Sequence, residues 1–434
     1  MHPLPIGKTD DAFDSGRVLT ISPDARRKHI AIFGKSGVGK STLLRNMIAW
    51  DIEHGAGVAV EDPHGSLVDE ILETIPRRRT NDVIYFNPKD RAHAMALNIF
   101  DQGDAHERAL LVSYLISIFK ALWRDSWGPR MEDILRNAAF ALSEQPQPVS
   151  LLAIPRLLTH PNYRSAVLRH VKNPAVRGFF HTYEHGWTKQ FREEAISPVL
   201  NKVNAFITNP LLRAVIGQAT SAFRFRWVMD TGKILLCDLS KGALGEDVSA
   251  LLGSLITTKL YLAALSRQEI PESERRPFVV YADEVQNFIH GVQLPTILSE
   301  ARKYGLSLTI ATQVITQLPN ECIDAVFGNC ATVISFRVSG NDAETLKREF
   351  STVIPASALQ DLSDFKTYVR TMTAEPNRPP IPYGPVSVKT FPAFQRQGTE
   401  NDKARVIEAS LRRYSRPRPD VEAKLKAFFS AQSS

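Results

Sequence analysis

The run Gly34-Lys35-Ser36-Gly37-Val38-Gly39-Lys40-Ser41-Thr42 constrains this chain more than any other. Its first eight residues fit G-x-x-x-x-G-K-[ST] without a mismatch. Glycines at these positions let the backbone wrap a polyphosphate with its N–H groups pointing inward. A helix starting directly after the loop adds its positive dipole end. His29–Phe33 (HIAIF) reads as a short buried strand, and helical spacing follows from Leu43 to Asp51. That strand–loop–helix context separates a phosphate cradle from an idle glycine-rich turn. The expected ligand is ATP with Mg²⁺: Lys40 on the β- and γ-phosphates, Ser41 on the metal and Thr42 on the α-phosphate.

The remaining pattern is α/β. Val58–Glu61 is a strand that ends in Asp62-Pro63, with Ser66 expected to cap a helix over Leu67–Thr74, and Asp82–Phe86 is a third strand. Such alternation predicts a mainly parallel sheet. From about Asp104 to Arg224 the period turns helical: Leu111, Leu115 and Ile118, then Met131, Leu135 and Ala138, broken at Gly128-Pro129. Strands return at Lys233–Asp238, Phe278–Ala282, Ser307–Ala311 and Thr332–Val338, with a helix over Val248–Arg267. The expected organisation is an ATPase domain in two parts, 1–98 and 227–390, an all-α insertion at 99–226, and a tail at 391–434. The start before His29 reads as polar loop. Glu375–Pro382 is proline-rich and closes the second part. The stretch from Val386 reads as polar and basic, with a short last helix over Val421–Phe429.

Phe278-Val279-Val280-Tyr281-Ala282-Asp283-Glu284 is an apolar strand ending in two acids. Downstream of a phosphate loop, Asp283 is expected to hold the magnesium through water and Glu284 to orient and deprotonate the attacking water. A base beside the γ-phosphate argues against a small-molecule kinase. Thr312-Gln313 ends another strand: Gln313 either senses the γ-phosphate or, with Thr312, caps the next helix. Asp62 and His64 either face the phosphates or make a tight turn. Arg302, in ARKYG, is the first candidate for an arginine finger reaching a neighbouring subunit, and Arg337 the second.

Taken together, IAIFGKSGVGKSTLLRNM, VAVEDPHGSLVDEIL, VVYADEVQNF and ARKYGLSLTIATQ resemble the HerA–FtsK superfamily of pumping ATPases. Within it the set is most similar to the DNA-transfer coupling proteins of type IV secretion, the TraG and TrwB type, and WGPRMEDILRNAAFAL in the helical block adds to the likeness. The resemblance implies a RecA-like motor with an all-α insertion and a ring, usually hexameric, with DNA threading its channel. It matches Lys40 and Ser41 to the Walker A pair, Asp283 and Glu284 to the Walker B pair, Gln313 to the coupling glutamine and Arg302 to the trans arginine. Partners in such systems include a relaxase, a nuclease or a membrane protein.

The formal net charge of +7 and pI of about 9.2 favour acidic partners, DNA first. Arg26-Arg27-Lys28, Arg77-Arg78-Arg79, Arg224, Arg226 and Arg412-Arg413 are the basic groups weighed for that role, against solvated faces. Trp123, Trp127 and Trp187 are expected in the core. Three cysteines without a CxxC pair speak against a disulfide framework or zinc site and fit a reducing cytoplasm. Ala109–Phe119, read as the most apolar stretch, falls short of the roughly 20 residues of a membrane helix, so no direct membrane insertion is expected. The coupling proteins usually begin with such helices, so here the chain departs from the pattern. The alternatives to a DNA pump are an ATPase that handles protein and an ATP-gated scaffold with little turnover.

Overall fold

The computed structural model describes residues 1–10, 15–100, 105–350, 353–373, 381–394 and 400–430. Thirteen strands are present among them: β1 (Leu4–Thr9), β2 (Val18–Ile21), β3 (Ile30–Phe33), β4 (Gly57–Asp62), β5 (Val83–Phe86), β6 (His93–Met95), β7 (Ile234–Asp238), β8 (Phe278–Ala282), β9 (Leu306–Thr312), β10 (Thr332–Ser335), β11 (Lys366–Thr373), β12 (Ile381–Thr390) and β13 (Ser415–Pro417). Strands covered on both faces carry near-continuous apolar runs. Every residue of β3, β4, β5, β7, β8, β9 and β10 is buried, and these seven form the parallel part of one sheet. The full order is β2-β1-β12-β11-β10-β3-β9-β8-β4-β7-β5, with antiparallel pairing from β10 outward to β2.

Two layers cover the sheet. One face packs on the helices Lys40–Glu53 and Ser66–Thr74, through Leu44, Ile48, Val68 and Ile71. The other packs on Glu246–Leu265, whose Leu251, Leu255 and Ile256 share one continuous core with Leu115, Phe119, Ile134, Leu135 and Phe206 of the helical block. No strand is assigned between β6 and β7 among the described residues. Trp123 packs on Phe206 and Trp187 on Phe191, while the Trp127 indole N–H donates to Glu132 at 2.8 Å. The helix Glu246–Glu269 is long and apolar enough to cross a membrane, which the reading of Ala109–Phe119 as most apolar missed, but it lies buried in this core.

Several expectations are corrected. The start before His29 is not loop: β1 and β2 pair with each other and extend the sheet beyond β12. The stretch from Val386 is not tail but the second half of β12, paired with β11. Within Glu375–Pro382, residues up to 380 lie outside the described residues, and 381–382 open β12 rather than close a domain. The C-terminus carries two helices, Glu400–Tyr414 and Arg418–Ser430, instead of one. Gly65, not Ser66, occupies the N-cap of Ser66–Thr74, and Asp62 supplies the capping oxygen to the Val68 N–H at 3.0 Å.

Candidate active site

The carboxyl ends of parallel strands are where such sheets gather ligands. Here β3, β9, β8 and β4 stand side by side, so Gly34, Gln313, Asp283 and Asp62 all emerge on one rim. The phosphate loop leaves β3 at Phe33 and returns into the helix at Lys40. Val38, fully buried, anchors its middle. Two aromatic side chains explain why glycine is needed on either side. A Cβ on Gly34 would lie 2.6 Å from the Phe336 Cβ, and one on Gly39, whose φ is 111°, would lie 2.8 Å from the Phe365 ring. The Lys35 N–H donates to the Arg337 carbonyl and the Phe365 N–H to the Val38 carbonyl, each at 2.9 Å. Turns after β10 and before β11 thus hold the loop from outside. The residues from Phe336, expected to continue β10, belong to that brace.

Lys40 is buried, and its ammonium donates to the loop's own carbonyls, Gly34 at 2.6 Å and Lys35 at 3.0 Å. Burial lowers its pKa, opposed by the charges of Glu284 and Asp283. Glu284 Oε1 stands 3.8 Å away. The other oxygen, Oε2, accepts the Gln313 backbone N–H at 3.1 Å and the Gln286 amide at 2.9 Å. Glu284 sits at φ 48°, in the left-handed region that non-glycine residues adopt at a cost. The Asn287 side chain holds its carbonyl at 2.9 Å. One oxygen is therefore fixed from behind and the other faces the lysine.

Asp283 is 5% exposed, and its Oδ1 has no hydrogen-bond partner. Burial, with Glu284 and Asp62 as like charges nearby, pushes its carboxyl up to about 7. A lone buried carboxylate oxygen under this electrostatic load suits a cation. Among the described residues no cluster of three or more His, Cys, Asp or Glu side chains makes a metal cage. Mg²⁺ keeps its waters and uses one or two protein oxygens plus phosphate oxygens, so it needs no such cage. Ser41, on the first turn after the loop, and Asp283 are the residues that fit.

The structure brings Lys40, Asp283, Glu284 and Gln313 together. The helix-capping alternative for Thr312-Gln313 fails: the next turn, Ile315–Gln317, is preceded by Val314 and has no side-chain cap. The positioning of Glu284 by the Gln313 backbone was not visible in the sequence. Asp62 makes the tight turn, accepting the His64 N–H at 2.8 Å and capping the helix, while His64 is exposed. Arg337 is committed to Asp364 at 2.8 Å and the Leu362 carbonyl at 3.0 Å. Arg302 lies just before β9 begins, at the opposite end of the strand from Gln313. It lines a cleft of about 380 Å³ with Lys28, Ser299 and Asn329. Of the basic groups considered for DNA, Arg26 is buried against Asp51 and Tyr281, Arg79 holds Asp82 and three carbonyls, and Arg226 holds Asp230. Arg27, Arg77, Arg78, Arg224, Arg412 and Arg413 are exposed.

A family model described as the type IV secretion-system coupling protein DNA-binding domain matches residues 15–354. Among solved structures, plasmid coupling protein TrwB in complex with the GTP analogue GDPNP is 16% identical, with a TM-score of 0.59 over 87% of this chain and 88% of that one. TrwB in complex with ADP and Mg²⁺ is 16% identical, with a TM-score of 0.58 over 91% and 90%. VirB4 of Thermoanaerobacter pseudethanolicus is 14% identical, with a TM-score of 0.55 over 90% and 96%. At these identities the likeness is one of fold. No curated protein matches the chain by sequence.

Proposed function

Because the chain belongs to the type IV secretion-system coupling protein family, we propose that it is an ATP-hydrolysing motor that moves DNA, working as a ring of identical subunits. The observation that carries the hydrolytic half is the meeting of Lys40 with Glu284 Oε1 at 3.8 Å, with Oε2 pinned by the Gln313 N–H. In this reading the loop amides bind the phosphates, and Lys40 exchanges the Gly34 and Lys35 carbonyls for phosphate oxygens. Ser41 and Asp283 are the residues that would hold Mg²⁺, which would supply neutralisation of phosphate charge. Glu284 Oε1 orients the attacking water and takes its proton.

Arg302 stands at the far end of the sheet from its own phosphate loop, so any role on a γ-phosphate must be on a neighbour's. Lys28 shares its cleft and would act beside it. A ring with sites between subunits is the arrangement in which Arg302 would have that role. DNA contact rests on the family and on the net charge of +7. It would be directed at phosphates, blind to sequence and weakened by salt.

The test is Glu284→Gln. Nucleotide affinity should stay within a few-fold, while turnover falls by roughly 10² to 10⁴. Lys40→Ala should lose nucleotide binding itself. Undiminished hydrolysis in Glu284→Gln would remove Glu284 from the chemistry.

A further inference from the structure

Phe365 is one of six large hydrophobic side chains that stay exposed among the described residues, at 41%. It is also one of three non-glycine residues with a positive φ, 64°. Both of its backbone groups are tied down. Its N–H donates to Val38 of the phosphate loop, and its carbonyl accepts the Thr390 N–H, each at 2.9 Å. The ring edge rests on Gly39 while the rest faces outward. An aromatic ring held open to solvent, on a costly backbone conformation, is not explained by core packing.

Its surroundings say what would cover it. Past Thr390 the chain runs along the second turn of the Lys40–Glu53 helix. Asn46 holds it there through the Phe391 and Pro392 carbonyls, at 3.2 and 2.9 Å, and the Phe394 N–H at 2.7 Å. Phe394 is exposed as well, at 44%. The phosphate loop, the first turns of its helix and the 391–394 segment therefore meet around Phe365. A nucleoside triphosphate whose phosphates lie in the loop must place its ribose and base beyond the loop, over this corner.

We propose that Phe365 is the stacking platform for the nucleobase, so that the turn before β11 supplies the base half of the site. The assignment rests on the nucleotide-binding reading above. Stacking reads the face of a base rather than its edge, so adenine and guanine are both accepted. Asn46 acts as a positioning residue that keeps the 391–394 segment in place.

The experiment measures binding of ATP, GTP and inorganic tripolyphosphate, each with Mg²⁺, to the wild type, Phe365→Ala and Phe365→Trp. Phe365→Ala should lose roughly ten- to a hundred-fold in affinity for both nucleotides and keep its affinity for tripolyphosphate. Phe365→Trp should bind nucleotides as the wild type does, with its added indole emission quenched by ATP but not by tripolyphosphate. Equal losses for all three ligands in Phe365→Ala would show that the ring only braces the loop, and unchanged affinities would show that it touches no base. Either result overturns the assignment. A wild type that binds neither ATP nor tripolyphosphate overturns the underlying nucleotide reading as well.

Discussion

At the residue scale, some buried acids serve the proposed chemistry and others, Glu61 among them, do not. Asp283 and Glu284 crowd together where a cation and a water are expected. Glu61, the neighbour of Asp62 on β4, is fully buried and, among the described residues, accepts the Thr257 hydroxyl, at 2.9 Å from each oxygen. Burial pushes its carboxyl up to about 8. The folded state thus keeps a proton that the unfolded chain releases above about 4.5. Stability is fully present below that pH and falls as pH rises toward 8. Glu61→Gln mimics the protonated acid without this dependence. In urea unfolding it should change the unfolding free energy little at pH 5 and raise it at pH 8, by on the order of a few kcal/mol. An equal effect at both pH values would mean that Glu61 is ionised throughout. The motif residues were legible because phosphate binding is a local backbone problem, written in consecutive residues. Phe365 and the Gln313 amide were not. Each acts through space on a residue tens or hundreds of positions away, Phe365 on Gly39 and Gln313 on Glu284.

Among elements, the loop that follows Glu284 has two tight seats in the opposite layer. A Cβ on Gly253 of the Glu246–Leu265 helix would overlap the Phe288 ring, and one on Gly291 would overlap the Ser117 backbone of the Ala105–Leu122 helix. The segment after Glu284, the proposed general base, is thereby fixed to the helical block as well as to the sheet. Gly253→Ala should cost about 1 to 3 kcal/mol of stability by overpacking. Because the strain falls on the segment that holds Glu284, it should also lower kcat more than it raises KM. Wild-type turnover in Gly253→Ala would show that this contact does not reach the site. The parallel strands were legible because burial on both faces makes them continuous apolar runs. β11, KTYVRTMT, alternates buried and half-buried residues, a period-two signal that was present but passed over. The start of β12 was masked by the proline-rich Glu375–Pro382, which reads as a terminator, although Pro382 takes an antiparallel position near a sheet margin that tolerates it. Among its described side chains the Glu400–Tyr414 helix buries Val406 and Ser410 outright, too thin an apolar stripe to stand out.

Across the whole molecule, the C-terminal segment joins parts that are far apart in sequence. The Glu400–Tyr414 helix lies against the edge strand β5, where Ser410 accepts the Tyr85 N–H at 2.8 Å, and Val406 joins the core of that face. β13 then pairs with β6, and Arg213 of the helical block meets Glu422 at 2.9 Å. Removing residues 400–434 would bare the β5 edge and its backbone groups. That truncation should aggregate or unfold at lower temperature, as gel filtration and thermal melting would show, and a monodisperse product of unchanged melting temperature would refute a covering role. The position of Arg302 makes a claim at the same scale. Arg302→Ala rings should be inactive, yet regain turnover when mixed with Lys40→Ala subunits, because each variant supplies what the other lacks. Mixed rings without activity would count against action in trans.

The central claim is that hydrolysis at Glu284 is coupled to DNA. Its most direct test is steady-state ATP hydrolysis by the purified chain, with and without long duplex or single-stranded DNA, at two salt concentrations and with Glu284→Gln as the blank. Turnover should rise several-fold with DNA, lose that gain at the higher salt as phosphate contacts are screened, and vanish in the blank. Turnover in the wild type that is the same with and without DNA at low salt would contradict the claim, and would point instead to a motor that handles protein.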